Sequence, residues 1–355
     1  MENRIKIGMA CAGVKTYEIL YKEEITKEFT PKKGDVGLFK VKEIGKHGSL
    51  RTLSRNVAII PGDLIMGAFG SRYATNQFEG YVPDGLEEEY HLLGGGGVIG
   101  KVKTMHARLV EMGPTTLELV GIFLNDKGEI ANSIKENQHR LVPFTGMGAQ
   151  KTKVILSLGS SMDSGKTTTA AYLINGFEKR GLNAAYIKLT GTAYPKDKNL
   201  AYDLGAISAM DFSSYGYPST YLCSEQELLS LYESLLSDTL QHKPDYVVVE
   251  IADGIFQRET KMLLHNASFM KGIHQVLFSA GDSLSAVHGI NTLIEWGTVP
   301  AALAGLFTTS PLLIEEVHAF LFEKESLSSL PILTLEDLQM GKFLDSTPLT
   351  QLMIA

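Results

Sequence analysis

Residues 157–169 have the types and spacing of a phosphate-binding loop. They read SLGSSMDSGKTTT, follow the apolar run 154–156, and precede residues 170–177, whose pattern predicts a helix. At such a junction, successive backbone N–H groups and the positive end of the helix can cradle a polyphosphate. We predict that Lys166 reaches the β- and γ-phosphates and that the Thr167 hydroxyl holds Mg²⁺. The residues predicted to contact a nucleotide are Ser161, Met162, Asp163, Ser164, Gly165, Lys166, Thr167 and Thr168.

The spacing departs from the usual motif by one residue. The common pattern places four residues between its first glycine and the Gly-Lys pair, whereas five separate Gly159 from Gly165. A serine-rich turn with an ordinary surface lysine is the alternative. The order of strand, Gly-Lys-Thr and helix favours the phosphate loop.

A lysine and a threonine end the next predicted strand. Lys188 and Thr190 lie in the run AAYIKLTGT, at the expected carboxyl end of the strand. A lysine there could neutralise charge on a transferred phosphoryl group, which is largely an electrostatic task. The alternative for Lys188 is a solvent-facing residue on a sheet edge. We predict that Lys166, Lys188 and Glu250 are catalytic and that Thr190 contacts the substrate.

Acidic residues that could bind a metal occur at three places. Glu250 ends the buried run YVVVE, where a carboxylate beside a phosphate loop commonly binds Mg²⁺. Asp253 is a second candidate, and it could equally be a turn residue before Gly254. Asp211 or Asp203 could complete the site or cap a helix. The predicted metal ligands are Thr167, Glu250 and, as the preferred third member, Asp211.

The region before residue 145 contains a separate set of candidate contacts. Arg72 and Tyr73 lie in a polar and aromatic stretch, and His91 precedes the four glycines at 94–97. Four consecutive glycines lose much entropy on ordering. They therefore indicate either a close approach of the backbone to another group, a mobile flap, or a long hairpin turn. We predict that Arg72 and Tyr73 contact a substrate.

Two domains must position these residues. Residues 1–145 contain closely spaced short β-rich runs, which predict a small barrel or sandwich. In residues 146–355, strands alternate with helical stretches, which predicts a mostly parallel sheet flanked by helices. The fold class is therefore α/β with a smaller β-rich N-terminal domain. In the second domain we predict strands at 152–158, 183–188, 246–251, 275–279 and 301–307, and helices at 166–180, 225–241, 259–266, 285–296 and 312–322.

Composition narrows the classes of function. The 355 residues are 44% hydrophobic and 21% charged, as in an ordinary globular protein. The net charge of −7 leaves no overall basic footprint for nucleic acid. The two cysteines, Cys11 and Cys223, match neither a disulfide framework nor a zinc site. We find no signal peptide or membrane-spanning run, so we expect a cytoplasmic protein without a membrane partner. We also expect a homodimer with a small-molecule substrate and no nucleic-acid partner.

Residues 152–320 resemble the dethiobiotin synthetase-like branch of phosphate-loop proteins. That branch also tends to have five residues before Gly-Lys-Thr. The resemblance implies that Lys188 matches a strand-two lysine that helps catalysis and that Glu250 matches a strand-ending Mg²⁺ ligand. The sequence departs from the family at two places. Asp282 lies where a basic or neutral residue is expected. Thr308 or Thr309 lies in the region where the family has an asparagine that reads the adenine.

A second resemblance concerns the two-domain architecture. A bacterial family containing D-glutamate N-acetyltransferase also joins an N-terminal domain to a phosphate-loop domain. Its Gly-Lys-Thr-Thr core, Thr-Gly stretch and Asp-Phe pair are similar to 165–168, 189–192 and Asp211-Phe212 here. Its N-terminal domain does not obviously match residues 1–145.

These observations lead to one leading hypothesis and two alternatives. The first is an ATP- (or GTP-) and Mg²⁺-dependent enzyme that activates or phosphorylates a small acid or amine. The second is a nucleotide-hydrolysing accessory protein for cofactor assembly. The third is an N-acyltransferase that uses the loop for the phosphates of acetyl-CoA.

Overall fold

The computed structural model describes residues 4–149 and 151–345, and the chain divides into two compact units. Unit 1 comprises Met1–Leu141, Gly191–Tyr194 and Phe212–Cys223; unit 2 comprises Val142–Thr190, Pro195–Asp211 and Ser224–Ala355. The division expected at residue 145 therefore differs from the structure for segments 191–194 and 212–223. The two segments pair with each other, because the Ala193 N–H donates to the Pro218 carbonyl at 2.9 Å. Such pairing between distant segments leaves no local pattern in the sequence.

Unit 1 is built on a closed β-barrel. Its sheet runs β1-β6-β3-β10-β8-β9-β7, and a further parallel pairing of β6 with β9 joins five of these strands into a ring. Ring closure removes exposed edges from the sheet. The strands of unit 1, in chain order, are β1 Lys6–Ile7, β2 Glu18–Tyr21, β3 Val36–Glu43, β4 Ser49–Arg51, β5 Asn56–Ala58, β6 Leu64–Phe69, β7 Phe78–Tyr81, β8 Tyr90–Gly94, β9 Val98–Met105 and β10 Thr115–Leu124, followed by helix α1 Ser133–Asn137.

Aromatic side chains fill the core of this barrel. Phe39, Phe69 and Tyr90 are fully buried, and their ring centroids lie 5.5–5.7 Å apart in edge-to-face contacts. Edge-to-face packing suits the quadrupoles of aromatic rings. Along β10, buried and half-buried positions alternate through its first seven residues, as expected for a strand with one face on a core. The predicted β-rich domain is therefore a barrel.

Unit 2 alternates strands with helices. Its strands are β11 Lys153–Gly159, β12 Ala184–Lys188, β13 Ala209–Asp211, β14 Tyr246–Glu250, β15 Gln275–Ser279 and β16 Ala302–Ala304. Its α-helices are α2 Lys166–Lys179, α3 Lys196–Asp203, α4 Glu225–Leu240, α5 Arg258–Leu264, α6 Ala267–Lys271, α7 Ser283–Glu295, α8 Pro311–Phe322 and α9 Leu335–Gln339. In the part of the chain described, no helix has both the length and the apolar character needed to cross a membrane.

The sheet of unit 2 is parallel throughout its described strands, in the order β13-β12-β14-β11-β15-β16. On one face, α2 buries Phe177 against strand residues that include Tyr186 and Val248. On the other face, Gly289 of α7 lies against the ring of Phe278. Helices thus cover both faces, as a parallel sheet of apolar strands requires. The α/β fold class is confirmed.

Four elements of unit 2, namely β13, α3, α6 and α9, were not predicted from the sequence, and the first two lie at the site. Strand β13 has only three residues, and α3 reads KDKNLAYD, with Ala201 as its only buried residue. A helix without an apolar stripe gives no periodic signal. Strand β13 and helix α3 flank the predicted catalytic region, so the sequence prediction lacked two elements that contribute residues to the site.

Candidate functional site

The loop between β11 and α2 is held at both ends. The Ser160 N–H donates to the Ser279 carbonyl at 2.9 Å, and the Leu306 N–H donates to the Ser164 carbonyl at 3.1 Å. Gly165, with φ +95°, caps the start of α2 in the left-handed region, where glycine is favoured. The eight predicted nucleotide contacts, 161–168, therefore form one continuous loop and helix start. The 14-residue helix directs its positive end and its first N–H groups at this loop.

Lys166 is folded back into the loop. Its ammonium donates to the Ser161 carbonyl at 2.7 Å and lies 3.5 Å from the Ser164 hydroxyl, and the residue is only 6% exposed. Burial lowers the pKa of this lysine from its usual value. A side chain on Gly159 would place a Cβ 2.6 Å from the Lys166 stem, so the glycine makes room for the lysine. The buried cation is thus held by groups of its own loop.

A row of polar residues crosses the sheet beside this loop. The strand register places Asp211 next to Lys188, Lys188 next to Glu250, and Glu250 next to Ser157. Neighbouring residues in parallel strands face the same side of the sheet, so the four side chains share one face. Such a position, at the carboxyl ends of parallel strands, is where open α/β sheets bind ligands.

Glu250 is the centre of this row. It is 1% exposed, and its Oε1 accepts a hydrogen bond from the Thr167 hydroxyl at 2.9 Å. Its Oε2 accepts from the Tyr186 hydroxyl at 2.7 Å. The Lys188 ammonium lies 3.6 Å from Oε1. A carboxylate buried this deeply needs compensating donors and charge, and these three residues supply them.

Thr167 and Glu250 fit the requirements of Mg²⁺. The ion binds oxygen at about 2.0–2.1 Å in an octahedron, so adjacent ligand oxygens stand about 2.9 Å apart. The Thr167 Oγ1 to Glu250 Oε1 distance is also 2.9 Å. Mg²⁺ sites commonly combine one or two protein oxygens with phosphate and water. The pair could therefore hold the ion next to phosphates bound by the loop.

Asp211 does not join this pair. Strand β12 separates β13 from β14, and neighbouring strands lie about 4.8 Å apart, so the backbones at 211 and 250 are separated by about 10 Å. The Asp211 carboxylate is 2.9 Å from the Lys198 ammonium of α3. The structure therefore does not bring the predicted third metal ligand to Thr167 and Glu250, because Lys188 lies between them in the row.

Lys188 is an interior residue of the sheet, with a side chain only 13% exposed, and not a solvent-facing edge residue. Its ammonium is hydrogen-bonded to Asp197 of α3 and faces Glu250 on the other side. Contacts to two carboxylates therefore hold the Lys188 side chain in place. This arrangement keeps a fixed cation beside the proposed Mg²⁺ ligand.

The predicted substrate contacts divide between the units. Thr190, in unit 2, accepts a hydrogen bond from the Ala252 N–H at 2.8 Å, which ties the loop after β12 to the loop after β14. Arg72, in unit 1, donates to the Leu93 carbonyl and, at 2.9 Å, to the Gln77 amide oxygen. The contacts shown are therefore internal to each unit, and a role in substrate binding stays a prediction.

Tyr73 belongs to an aromatic cluster of unit 1. Its ring centroid lies 5.4 Å from that of Tyr221, which in turn lies 5.9 Å from Tyr81. The Tyr81 hydroxyl donates to the Glu79 carboxylate, which lowers the pKa of Glu79. The cluster gives Tyr73 a packing role, and substrate contact by Tyr73 likewise stays a prediction.

Asp282, Thr308 and Thr309, the positions at which the sequence departs from the family that it resembles, form hydrogen bonds that close local turns. Asp282 Oδ1 accepts from the Ser285 N–H at 2.7 Å and caps α7. The hydroxyls of Thr308 and Thr309 each donate to the carbonyl three residues earlier, at 2.8 and 2.7 Å. These contacts favour neither adenine nor guanine.

Three residues of the site were missed by sequence reasoning. Tyr186 and Asp197 hold Glu250 and Lys188, and Gly254 packs so closely on the loop that a Cβ would overlap the Ser160 carbonyl. A tyrosine within an apolar strand two residues before Lys188 was a usable signal, because a buried hydroxyl needs a partner. Asp197 gave none, since α3 itself was not predicted.

Comparison with known proteins identified no family. No protein-family model matches the chain, and no curated protein matches it. A DUF1611 family protein from Anabaena variabilis aligns with a TM-score of 0.40 and 14% identity, over 58% of this chain and 60% of its own. The chain thus spans less than two thirds of that protein.

Two solved structures described as signal recognition particle proteins also align. The receptor FtsY from Elizabethkingia anophelis, in complex with GDP, has a TM-score of 0.38 and 17% identity, over 60% of this chain and 70% of its own. The 54 kDa protein from Aeropyrum pernix, in complex with GDP, has a TM-score of 0.36 and 17% identity, over 59% and 47%. These likenesses assign no family and no activity to this chain.

Proposed function

We propose that this protein binds a nucleoside triphosphate with Mg²⁺ at residues 159–168 and transfers its γ-phosphoryl group, either to water or to a small acid or amine. The observation that carries the proposal is the joint geometry of three residues. A buried lysine lies within a loop at a helix N-terminus, and the Thr167–Glu250 pair beside it has the spacing of adjacent Mg²⁺ ligands.

Each residue has a defined task in this proposal. The Lys166 ammonium now satisfies the Ser161 carbonyl, and a phosphate oxygen would be a stronger, charged acceptor for it. The N–H groups at the start of α2 would bind the same phosphates. Lys188 would lie beside the transferred group and neutralise the charge that builds on it. Bound Mg²⁺ would supply charge neutralisation and orientation of the phosphates.

The acceptor is the finer part of the proposal. Phosphoryl transfer breaks the bond between the γ-phosphorus and its bridging oxygen and forms one to an acceptor oxygen or nitrogen. A small acid or amine follows from the resemblance to the dethiobiotin synthetase-like branch. Water as the acceptor corresponds to the accessory-protein hypothesis, and acetyl-CoA binding without nucleotide corresponds to the acyltransferase hypothesis.

Calorimetric titration of the full chain tests the proposal. We expect ATP·Mg²⁺ or GTP·Mg²⁺ to bind and Lys166→Met to weaken binding at least about 100-fold, because a charged hydrogen-bond donor is lost. Lys179→Met, in the exposed last turn of the same helix, is the matched control and should bind normally. Equal affinity in both variants, or binding of acetyl-CoA alone, would reject the proposal.

A further inference from the structure

We propose that Tyr186 is a positioning residue that orients the Glu250 carboxylate for Mg²⁺. The inference rests on the proposed function, because it concerns the ligand geometry of the same site. Its structural basis is the single hydrogen bond from the Tyr186 hydroxyl to Glu250 Oε2, at 2.7 Å.

The position of Tyr186 explains how this bond forms. Tyr186 lies in the middle of β12 and pairs in register with Val248, two residues before Glu250. Residues 186 and 188 face the same side of the sheet, as do 248 and 250. A tyrosine side chain at 186 can therefore reach along this face of the sheet to Glu250, which lies two residues beyond Val248 on the neighbouring strand. The ring lies among core residues that include Ile155 and Phe177.

Packing alone does not require the hydroxyl. Tyr186 is 0% exposed, and phenylalanine would fill nearly the same volume in this apolar cluster. A buried hydroxyl costs free energy unless it is hydrogen-bonded. The bond to a carboxylate offsets that cost and is stronger than a bond between neutral groups. The tyrosine thus contributes something that the core does not need, a donor aimed at Glu250.

This donor distinguishes the two oxygens of Glu250. Oε2 is engaged by Tyr186, so Oε1 is directed at Thr167 and Lys188. A phenol hydroxyl carries its proton at physiological pH, so Tyr186 is the donor in this bond and the carboxylate is the acceptor. Without the bond, the carboxylate could rotate and the 2.9 Å spacing between Oε1 and Thr167 would no longer be maintained.

Hydrogen bonds that orient a metal ligand have measurable effects on metal binding. Partners that orient metal ligands typically change metal affinity or activity about 10- to 100-fold when they are removed. We therefore expect Tyr186→Phe to raise the Mg²⁺ concentration for half-maximal Mg²⁺-dependent nucleotide binding about tenfold. The affinity for nucleotide in EDTA should change less than about twofold, because the loop amides and Lys166 are untouched.

The chain offers a matched control. Tyr232 is also buried, at 1% exposure, and its hydroxyl has no hydrogen-bond partner among the residues that the structure describes. Tyr232→Phe deletes the same atom from the same type of environment without affecting Glu250. A general effect of removing a buried phenol oxygen would therefore appear in both variants, whereas orientation of Glu250 would appear only in Tyr186→Phe.

The experiment measures Mg²⁺ dependence, metal-free nucleotide affinity and thermal unfolding for the wild type and both variants. A rise in the Mg²⁺ midpoint confined to Tyr186→Phe supports the inference. An unchanged midpoint, an equal rise in Tyr232→Phe, or loss of metal-free affinity would overturn it. Failure of Tyr186→Phe to fold would also overturn it, since the hydroxyl would then hold the fold itself.

A double-mutant cycle with Glu250→Gln gives a second reading. Coupling is expected, so the Mg²⁺ midpoint of the double variant should change less than the two single effects combined. Additive effects would overturn the inference. If the wild type binds no Mg²⁺·nucleotide at all, the proposed function itself fails. If the wild type binds it and Tyr186→Phe behaves like the wild type, only the inference about Tyr186 fails.

Discussion

The two units each bury a cationic side chain, and they surround it in different ways. In unit 1, Arg72 donates to the nearby Gln77 amide oxygen, and also to the Leu93 carbonyl on strand β8, 21 residues later in the chain. In unit 2, Lys166 donates to Ser161, five residues earlier in the same loop. A guanidinium fixed between distant segments stabilises a fold. An ammonium held by its own loop can exchange that partner for a ligand.

Glycine-rich segments show the same contrast. A Cβ on Gly96 would overlap the Ala193 carbonyl, so the four glycines of unit 1 permit close contact between backbones. The same glycines form the turn between the antiparallel strands β8 and β9, so the hairpin-turn and close-approach explanations both hold. Gly159 in unit 2 instead leaves space for the flexible stem of Lys166. A buried cation or a closely packed glycine therefore indicates a functional site only when the groups that contact it can move aside for a ligand.

Lys166→Met should have the largest effect and should separate binding from stability. The methionine keeps the apolar stem, so the melting temperature should stay within about 2 °C, while nucleotide affinity falls at least about 100-fold. Calorimetric titration and thermal unfolding measure the two. A large drop in melting temperature with intact affinity would show that Lys166 serves the fold, as Arg72 does.

Arg72→Met should show the opposite pattern. Removal of the guanidinium deletes its hydrogen bonds to the Leu93 carbonyl and to Gln77 in a buried environment, which should destabilise the protein by about 2–4 kcal/mol. Nucleotide affinity should change less than about twofold. Urea unfolding followed by circular dichroism checks the stability. Unchanged stability together with weaker binding of an acidic substrate would instead favour the predicted substrate contact.

Alanine at the two glycines should reproduce the contrast on a smaller scale. Gly96→Ala forces a backbone apart and should cost about 1–3 kcal/mol of stability. The atoms nearest to a Cβ on Gly159 belong to side chains, the Ser164 hydroxyl and, at 2.6 Å, the Lys166 stem. Gly159→Ala should therefore displace both residues of the loop and weaken nucleotide binding about tenfold, with a smaller loss of stability than Gly96→Ala.

Two glycines in open space are the matched controls for this pair. A Cβ on Gly85 or Gly281 meets no atom within 4 Å, and alanine there should be nearly neutral. Equal stability losses in Gly96→Ala and Gly159→Ala would remove the distinction between the two segments.

The smallest expected effect is the contribution of Lys166 to the pH dependence of binding and stability. Because burial lowers its pKa, the free protein loses this proton at a pH below the 10.5 of an exposed lysine. Nucleotide affinity should therefore begin to fall at a pH below 10.5, because the ammonium that would bind phosphate is lost. In the window between the lowered pKa and 10.5 the unfolded chain binds the extra proton, so Lys166 contributes a rise in stability with pH. The raised pKa values of buried Cys11 and Tyr186 contribute in the opposite direction.

Titrations at several pH values, with unfolding in parallel, measure both trends. Lys166→Met should abolish the rise in stability. Arg72 stays protonated throughout this range, so Arg72→Met should leave both slopes unchanged. A slope that persists in Lys166→Met would assign it to other groups.

Much of unit 2 could be predicted because its signals are local. The apolar runs that form β11, β14 and β15 and the amphipathic pattern of α2 lie in continuous segments, and their bounds agree with the structure to within one or two residues. Strand β13 and helix α3 could not be predicted, since one is short and the other lacks an apolar stripe. The partners Asp197 and Lys198 were missed with that helix.

Three features could be derived from the sequence alone: the phosphate-loop pattern, the barrel-like β-content of unit 1, and the candidate pair of Lys188 and Glu250. This was possible because the order of residues sets where a loop, a helix cap and the end of a strand lie. Only the tertiary structure decided that Lys188 lies between Asp211 and Glu250, that Tyr186 orients Glu250, and that segment 191–194 packs on the glycines of unit 1. The physical reason is that strand register and close backbone packing join residues far apart in the chain, and such contacts leave no periodic trace.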